Sequence, residues 1–292
     1  AARTAARTAA RTAARTAART TARTTAATTR RPLKAVSKTA AARTPAAASS
    51  RSCVNFCSSE RCHCPHVSVV IAACGGPWNV ERVAARVEKN FCDLQPCIFV
   101  YDKCNKSDLQ LPYPIIPLQN VGSEQHTYLH HIINHYDRLS KYLMFLPTRP
   151  DRQLVRMNRE ALMDYIRKHH FDFRCAVRSD RLGHIRKFRE IGYAAATKCP
   201  SSPIYLQDWT LRHVGDWDDS LPACHEGAFF TRSEFVLRRP KKTYERIFGT
   251  MLKCRQPETA FYMERLAQHV FGKGSPHRHA DHKNSRVGLS FP

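Results

Sequence analysis

The stretch NVGSEQHTYLHHIINHYDRLSKYLMFL, residues 120–146, decides the fold. It opens on turn and cap residues at 120–123, and large apolar side chains then recur at helical spacing as far as Tyr136. The apolar run at 142–146 is short and is followed by a proline, which favours a buried strand over further helix. A loop that leads into an amphipathic helix and then into a buried strand is typical of an α/β sheet.

Two more strands are predicted on the N-terminal side of this stretch. Residues 66–73, HVSVVIAA, are uncharged and rich in β-branched side chains, and Gly75 and Gly76 follow them. An amphipathic helix comes next, and residues 97–101, CIFVY, form the second strand. This order predicts a mostly parallel central sheet covered by helices on both faces, in a single three-layer α/β domain.

The C-terminal half of the predicted domain has a less regular pattern. A basic helix is predicted over 151–173, whereas 175–219 shows no clear period. A short strand is predicted at 228–230, and two helices are predicted to start near Ser233 and near Pro257.

Composition divides the chain into four segments. We predict a low-complexity basic tail at 1–52, a Cys-rich linker at 53–65, the α/β domain at 66–272 and a basic, His-containing tail at 273–292. The domain is of ordinary size for one hydrophobic core.

The basic tail begins with five copies of Ala-Ala-Arg-Thr, at residues 1–20. Residues 1–52 contain twelve Arg or Lys and no acidic residue, so they cannot build a core and are predicted to be disordered. Two functional interpretations stay open. The segment resembles an organelle transit peptide, and it would also suit a polycationic binding arm.

The formal net charge of +23 favours anionic partners. Phosphates, nucleoside diphosphates, nucleic acid, acidic glycans and anionic lipid surfaces all fit a field of this sign, and charge alone does not choose among them. No segment of this sequence is long and apolar enough to span a bilayer.

Twelve cysteines are many for a cytosolic enzyme, and four of them lie within residues 53–64. Their spacing lacks the two separated Cys pairs of common zinc sites, so disulfides or free thiols are favoured over zinc there. The cysteine content favours an oxidising lumen, and the transit-like tail favours an organelle. We therefore expect an organelle or the secretory lumen rather than the cytosol.

Three segments resemble an uncharacterised eukaryotic family of unknown function that is distantly similar to GT-A fold glycosyltransferases. They are the strand VSVVIAA, the block from VYDKCN to FL, and the block EGAFFTRSEFVLRRPKKTYERI with PETAFYMERLAQHVFG. The family pattern at 120–129 reads Asn-Val-Gly-Arg-Glu-Gly-His-Thr-Tyr-Leu. This chain keeps eight of those ten residues and has Ser123 and Gln125 at the other two positions.

The resemblance implies a nucleotide-sugar site at the carboxyl ends of the strands, with Asp102 and Asn120 binding the nucleotide. His126 joins them because the N-terminus of a helix can hold a phosphate. No Asp-x-Asp pair follows the 142–146 strand, so no protein metal site is predicted there. Arg149 and Arg152 are expected to neutralise the leaving diphosphate instead, and Mn²⁺ or Mg²⁺ would enter only with the donor.

Glu226 is the candidate catalytic base, because an inverting transfer needs a carboxylate near the acceptor hydroxyl. A capping or salt-bridging role for Glu226 is the plain alternative. Trp209 and Trp217 are expected to line a cleft that stacks on a sugar or base. The acidic run at 216–219 is expected to be a solvated turn rather than a metal site.

The resemblance therefore implies a glycosyltransferase that moves a sugar from a nucleotide-sugar donor to a hydroxyl of a glycan or another acceptor. The alternative is a non-catalytic GT-A-like scaffold that binds anionic glycan or nucleic acid through its basic surface. A protein that holds zinc through clustered Cys and His is a third interpretation.

Overall fold

The computed structural model describes residues 54–74, 78–104, 113–147, 173–192, 196 and 198–272. All of them belong to one compact unit, Ser50–Pro292. Among the described residues, no helix is both long enough and apolar enough to cross a membrane.

The described residues form seven strands and seven α-helices. The strands are β1 Asn55–Phe56, β2 Val67–Ala73, β3 Cys97–Asp102, β4 Ile116–Pro117, β5 Tyr142–Leu146, β6 Phe173–Arg181 and β7 Pro222–Arg232. The helices are α1 Trp78–Phe91, α2 Ser123–His135, α3 Leu206–His213, α4 Ser233–Val236, α5 Lys241–Gly249, α6 Glu258–Arg265 and α7 Ala267–Phe271.

All seven strands belong to one mixed sheet. Its order is β1-β3-β2-β5-β7-β6, and β4 pairs with β3 beside that path. The pairs β1·β3, β2·β3, β2·β5 and β3·β4 are parallel, whereas β7 runs antiparallel to both β5 and β6. The predicted α/β class and the three predicted N-terminal strands are confirmed.

Apolar side chains of β2 alternate between the two faces of the sheet, as the period of two requires. Val67, Val69 and Ile71 pack in one hydrophobic cluster with the apolar stripe of α1. Val70 and Ala72 point to the other face and share a cluster with the buried stripe of α2. Helices therefore cover both faces, and the one polar residue of β2, Ser68, is buried and shares a hydrogen bond with the Ser140 hydroxyl at 2.5 Å.

The region that the sequence left irregular contains a long strand and a helix. β6 spans Phe173–Arg181 and α3 spans Leu206–His213. The strand β6 escaped prediction because it is the edge of the sheet and keeps charged side chains such as Arg174 and Arg178. The helix predicted at 151–173 lies outside the described residues, apart from Phe173, which begins β6.

The strand predicted at 228–230 is longer, because β7 spans Pro222–Arg232. Each of the two C-terminal helices is broken. The first stops at Val236 and resumes after Pro240, which cannot donate the hydrogen bond a helix interior requires. The second is interrupted at Leu266, between α6 and α7.

The Cys-rich segment predicted to be a linker is instead part of the folded domain. It contributes β1, which pairs with β3, and its Cys64 forms a disulfide with Cys97 of the same strand. Cys57 and Cys62 form a second disulfide within the segment. Disulfides therefore account for the described cysteines of this segment, Cys57, Cys62 and Cys64.

The described cysteines are all disulfide-bonded. Outside the Cys-rich segment the structure has the pairs Cys74–Cys104, Cys175–Cys224 and Cys199–Cys254. Each pair joins two elements or loops that are far apart in sequence, so the cross-links supplement the hydrophobic core.

Opening the Cys64–Cys97 disulfide by changing both residues to Ala is expected to lower the free energy of unfolding by about 3–4 kcal/mol, since the bond spans 33 residues of chain. The matched control is the Cys57→Ala, Cys62→Ala pair, whose disulfide spans 5 residues and is expected to contribute about 2 kcal/mol. Urea unfolding of both variants checks the difference. Equal losses would contradict a loop-closure origin for the stabilisation.

Candidate functional site

The candidate site lies at the carboxyl edge of the parallel strands. From β2 the chain passes to β3 on one side, and it later returns to place β5 on the other side of β2. The strand order therefore reverses at β2. In open α/β sheets, ligands bind in the crevice outside the carboxyl ends of the strands at such a point.

Two adjacent loops at this edge are joined covalently. Cys74, directly after β2, and Cys104, just after β3, form a disulfide. The backbone N–H of Lys103 also donates to the Ala73 carbonyl at 3.0 Å. These links hold the ends of β2 and β3 together.

Asp102 lies where the sequence predicted it, at the end of β3. Its carboxylate accepts a hydrogen bond from the Cys104 backbone N–H at 2.9 Å, and the residue is 8% exposed. Asn120 is half-buried close by, with its amide nitrogen 3.5 Å from the Cys104 sulfur. The structure thus places both Asp102 and Asn120 beside Cys104. Nucleotide binding by these two residues stays a prediction.

Lys103 is buried beside them and is 4% exposed. Its ammonium donates to the Val121 carbonyl at 2.5 Å and to the Ser123 carbonyl, at the start of α2. Burial lowers the pKa of Lys103 to about 7, although the nearby carboxylate of Glu124 opposes the shift. The candidate site therefore contains an amine whose pKa lies near neutral pH.

The start of α2 is a left-handed turn. Gly122 and Ser123 have φ of 62° and 51°, and their N–H groups donate to the carbonyls of Cys254 and Arg255. A Cβ at position 122 would lie 2.7 Å from the His126 Cβ, so the turn requires glycine there. These two backbone donors are already used and are not available to a phosphate.

His126 lies in the first turn of α2 as predicted, but it is buried, and its ring stacks on Phe248 with centroids 4.6 Å apart. Burial and the charges of Lys103 and His130 lower the pKa of His126 to about 3. The ring is therefore neutral at physiological pH. It could form hydrogen bonds with a nucleotide but would not contribute positive charge.

A bulge in β7 faces the same edge. Residues 226–228 lie opposite the single residue Ala176 of β6, because Phe229 pairs with Cys175 and His225 pairs with Val177. Glu226 and Gly227 both adopt left-handed backbone, with φ of 67° and 64°. Such a conformation costs a residue with a side chain roughly 1–2 kcal/mol, so the bulge concentrates strain at Glu226.

The bulge lies just beyond the end of β5. Strand β7 is antiparallel to β5, with Phe229 opposite Phe145, so the residues that precede Phe229 extend past the carboxyl end of β5. Glu226 therefore lies on the edge where β2 and β3 also end. Its side chain is half-buried.

Two further carboxylates flank the bulge. A Cβ added to Gly227 would lie 2.7 Å from Oε1 of Glu124, so that carboxylate packs directly against the glycine. The backbone N–H of Glu226 donates to Oε1 of Glu264 on α6. Helix α2, helix α6 and strand β7 thus bring three glutamates together: Glu124, Glu226 and Glu264.

Glu264 has the most perturbed carboxyl group of the three. Burial raises its pKa to about 7, and the charge of Glu124 adds to the shift. Arg265, 3.1 Å from Oε2 of Glu264, and the Glu226 N–H act in the opposite direction. The pKa of Glu264 therefore lies near neutral pH, where a carboxyl group can both donate and accept a proton in acid–base chemistry.

The two predicted cleft tryptophans occupy different environments. Trp209 is fully buried and packs edge-on against Tyr262, with ring centroids 5.8 Å apart. It is a core residue rather than a cleft residue, because α3 turns this side chain toward the hydrophobic cluster. Trp217 is only partly buried, and its indole N–H donates to Asp219 at 2.5 Å.

The acidic run at 216–219 is occupied by ion pairs and turn contacts. Asp216 accepts from Arg239 at 2.8 Å and lies 3.2 Å from His269. Burial alone would raise the pKa of Asp216, but hydrogen bonds from His269 and Arg239 hold it well below its usual range. Asp219 pairs with Arg186 in a two-pronged contact.

These ion pairs and hydrogen bonds do not fit an Asp-x-Asp metal site. Asp216 and Asp218 point to different partners, since Asp218 accepts from the Ser220 N–H and hydroxyl. No group of His, Cys, Asp and Glu in the described part of the chain is arranged to hold a metal ion. We therefore derive no catalytic step through a metal held by Asp216 and Asp218. Arg149 and Arg152 lie outside the described residues.

Sequence reasoning missed Lys103, Glu264 and the contact between Glu124 and Gly227. Glu124 was visible only as an acid in the first turn of a helix, and Lys103 only as the neighbour of Asp102. Glu264 carried no signal at all, because a Glu-Arg pair in a C-terminal helix is ordinary surface composition. Only the packing of α6 against the β7 bulge reveals it.

The variant Glu264→Gln is expected to flatten the pH dependence of stability between about pH 4.5 and pH 7. In that range the folded chain retains a proton that the unfolded chain has lost, since the pKa of Glu264 rises from 4.5 to about 7 on folding. Stability therefore falls as the pH rises, by at most about 3 kcal/mol. Urea unfolding at several pH values measures this loss in the wild type.

The matched control for that measurement is Glu245→Gln, a change at an exposed carboxylate on α5. The control is expected to reproduce the wild-type pH profile. A Glu264→Gln profile identical to the wild type would show that Glu264 titrates normally.

Comparison with known families identifies the family of this chain. The family model described as Protein of unknown function (DUF3431) matches residues 80–286, which is more than half of the chain and includes Lys103, Glu124, Glu226 and Glu264. No curated protein and no solved structure matches the chain. The predicted resemblance to a family of unknown function is thereby confirmed. The chain belongs to the DUF3431 family.

Proposed function

We propose that this chain is a glycosyltransferase with a GT-A-like sheet, which transfers a sugar from a nucleotide-sugar donor to a hydroxyl acceptor. The observation that carries the proposal is the position of Asp102 and Glu226. They come from distant parts of the sequence, and strand register brings both to the carboxyl edge of one sheet.

The sheet topology supports the GT-A-like part of the proposal. The order of the parallel strands reverses at β2, and one antiparallel strand, β7, is inserted between β5 and β6. The crevice at the reversal is a general ligand site in α/β sheets. Fold alone does not fix chemistry, so the residues at this edge carry the rest of the argument.

The spacing of the two acids supports a long, extended donor. Strands β2 and β5 lie between β3, which carries Asp102, and β7, which carries Glu226. Three strand-to-strand steps amount to about 14 Å. A nucleotide sugar can lie across this edge with its nucleoside near Asp102 and Asn120 and its sugar near the bulge.

The chemical step is a direct displacement at the anomeric carbon. Glu226 accepts the proton of the acceptor hydroxyl, the hydroxyl oxygen bonds to the anomeric carbon, and the diphosphate leaves with the electron pair of the broken bond. Arg149 and Arg152 are proposed to neutralise the leaving diphosphate. His126 contributes hydrogen bonding but no charge, because its ring is neutral.

The strained backbone at Glu226 favours a functional role for this residue over a plain salt bridge. A glutamate with φ of 67° is held in a conformation that glycine would adopt without cost. Strain of this kind persists where surrounding structure enforces it, and it concentrates at functional sites.

Glu226→Gly is expected to abolish sugar transfer while raising the free energy of unfolding by up to about 1 kcal/mol, because glycine relieves the left-handed strain. Turnover with the donor identified below and urea unfolding measure the two effects. Retained turnover would exclude Glu226 as the base, and a loss of stability would show that its side chain supports the fold.

Binding of a nucleoside diphosphate tests the proposed function directly. The full chain, with and without Mn²⁺, is expected to be stabilised against unfolding by one nucleoside diphosphate, by about 2.7 kcal/mol at a hundredfold excess over its dissociation constant. Asp102→Asn is expected to lose this response, and Asp137→Asn, at an exposed site at the opposite end of α2, is expected to keep it.

The competing candidate is a non-catalytic scaffold for anionic glycan or nucleic acid, and the net charge of +23 is the observation that favours it. Such a scaffold would show no nucleoside preference and would lose affinity steeply with added salt. A flat response to all nucleoside diphosphates, together with salt-dependent binding of a polyanion, would replace the transferase proposal with this one.

A further inference from the structure

We propose that three histidines of α2 and the loop 57–63 form a latch that opens when the surroundings become acidic. The histidines are His130, His131 and His135, and the loop belongs to the Cys-rich segment. In the closed latch the loop is bonded to the C-terminal half of α2. Opening frees the loop and the end of α2 while the sheet stays folded. The latch does not depend on the proposed function.

Two of the histidines form a stacked pair inside the protein. His131 and His135 are one helical turn apart, and their ring centroids are separated by 4.3 Å. Both residues are buried, and Phe99 of β3 packs edge-on against each ring, at 4.7 and 5.1 Å between centroids. Two positive charges at this separation would repel each other strongly in a buried site. The stacked pair is therefore stable while its rings are neutral.

The surroundings of the pair do not satisfy a protonated ring. Nδ1 of His131 shares a hydrogen bond with the Tyr101 hydroxyl at 3.0 Å. Nε2 of His135 is buried and has no hydrogen-bond partner among the described residues. Because a protonated imidazole carries N–H groups at both nitrogens, a charge on His135 would leave a buried N–H unpaired. Burial accordingly lowers the pKa of His135 to about 4 and holds that of His131 well below its usual range.

The loop 57–63 is bonded to the same part of α2. Nε2 of His130 lies 2.5 Å from Oε1 of Glu60. Arg138, which follows the helix, donates to the Glu60 carbonyl at 2.5 Å and to the Arg61 carbonyl at 3.5 Å. The position of the loop therefore depends on the C-terminal half of α2 and on the turn after it.

Both ends of the loop are fixed to the sheet. Strand β1, just before the loop, pairs with β3, and Cys64, just after it, forms a disulfide with Cys97 of β3. The Cys57–Cys62 disulfide closes the loop on itself. The loop can therefore leave α2 as one unit without separating the strands.

The groups around the histidines supply little negative charge. The titratable or charged groups on the elements that pack against or adjoin this part of α2 are Glu60, Arg61, Tyr101, Lys103, His126, Asp137 and Arg138. Helix α5 contributes the uncharged ring of Phe248. Asp137 is exposed, and Glu60 can balance one imidazolium. Three imidazoliums beside Arg138 would therefore leave an excess of positive charge.

Proton binding favours the open latch in acid. Histidines released into water titrate near pH 6.5, whereas the pKa of His135 in the closed latch is about 4. Between these two values the open state binds a proton that the closed state does not, so the opening equilibrium rises as the pH falls. Above about pH 7 the histidines are neutral in both states, and the latch stays closed.

Hydrogen–deuterium exchange of the full chain at pH 7.5 and pH 4.5, corrected for the intrinsic exchange rate, measures the opening equilibrium. At residues 58–63 and 130–138 it is expected to rise by at least about fiftyfold at the lower pH. Strands β2 and β5 are expected to change by less than about threefold, because they stay paired in the open state. Exchange at separate segments is used because Glu264 shifts the global stability in the opposite direction with pH.

Two variants remove the proton site at position 135. His135→Phe keeps an aromatic ring beside Phe99, and His135→Gln has a smaller neutral side chain, so a packing defect in one variant does not hide the result. In each, the rise in opening between pH 7.5 and pH 4.5 is expected to be at least about tenfold smaller than in the wild type. His184→Gln, at an exposed histidine outside the latch, is the matched control and is expected to match the wild type.

Three results would overturn the latch. The first is an unchanged opening equilibrium at residues 58–63 and 130–138. The second is an equal rise in β2 and β5, which would show that acid unfolds the whole domain. The third is a wild-type response in both His135 variants.

Discussion

The carboxyl edge of the sheet depends on the two hydrogen bonds that the buried ammonium of Lys103 donates. The ammonium donates to two carbonyls at the start of α2, and the left-handed turn there donates in turn to the carbonyls of Cys254 and Arg255. Burying an amine is costly unless it is hydrogen-bonded, so the turn, the strand end and the C-terminal helices must form together.

Two largely buried groups at the carboxyl edge of the sheet, Lys103 and Glu264, have opposite charges and shifted pKa values. Burial lowers the pKa of Lys103 and raises that of Glu264 toward the same value, about 7. A cation and an acid that both titrate near neutral pH make the local charge sensitive to whatever binds beside them. Groups of opposite charge whose pKa values are both shifted toward neutrality are typical of functional sites.

The framework of the fold could be predicted from the sequence because its central strands are short runs of almost entirely apolar residues. Strands β2, β3 and β5 are covered on both faces, so their residues are apolar on both sides of the strand. Such an apolar run can be recognised in the sequence without knowing the tertiary structure. The start of α2 was predictable from Gly122 and its neighbours for the same local reason. Strand β6 carries no such signal, because an edge strand keeps the charges that protect it from unwanted pairing.

The site could be predicted only in part. Asp102, Asn120 and Glu226 could be proposed from the sequence because each stands next to a recognisable strand or turn, and their roles stay predictions. Glu264 and the bulge were not, because the left-handed φ at Glu226 and the approach of α6 depend on how distant elements pack. Trp209 shows the reverse error, since an aromatic residue in an irregular stretch proved to be core.

The most direct measurement of the central claim is hydrogen–deuterium exchange of the full chain with and without the stabilising nucleoside diphosphate. The account predicts slower exchange at residues 102–104, 120–126 and 225–228, because one ligand at the carboxyl edge touches the ends of β3, the start of α2 and the bulge. Protection confined to other segments, such as the basic residues 1–52, would contradict it and would assign the ligand to the charge of the chain instead.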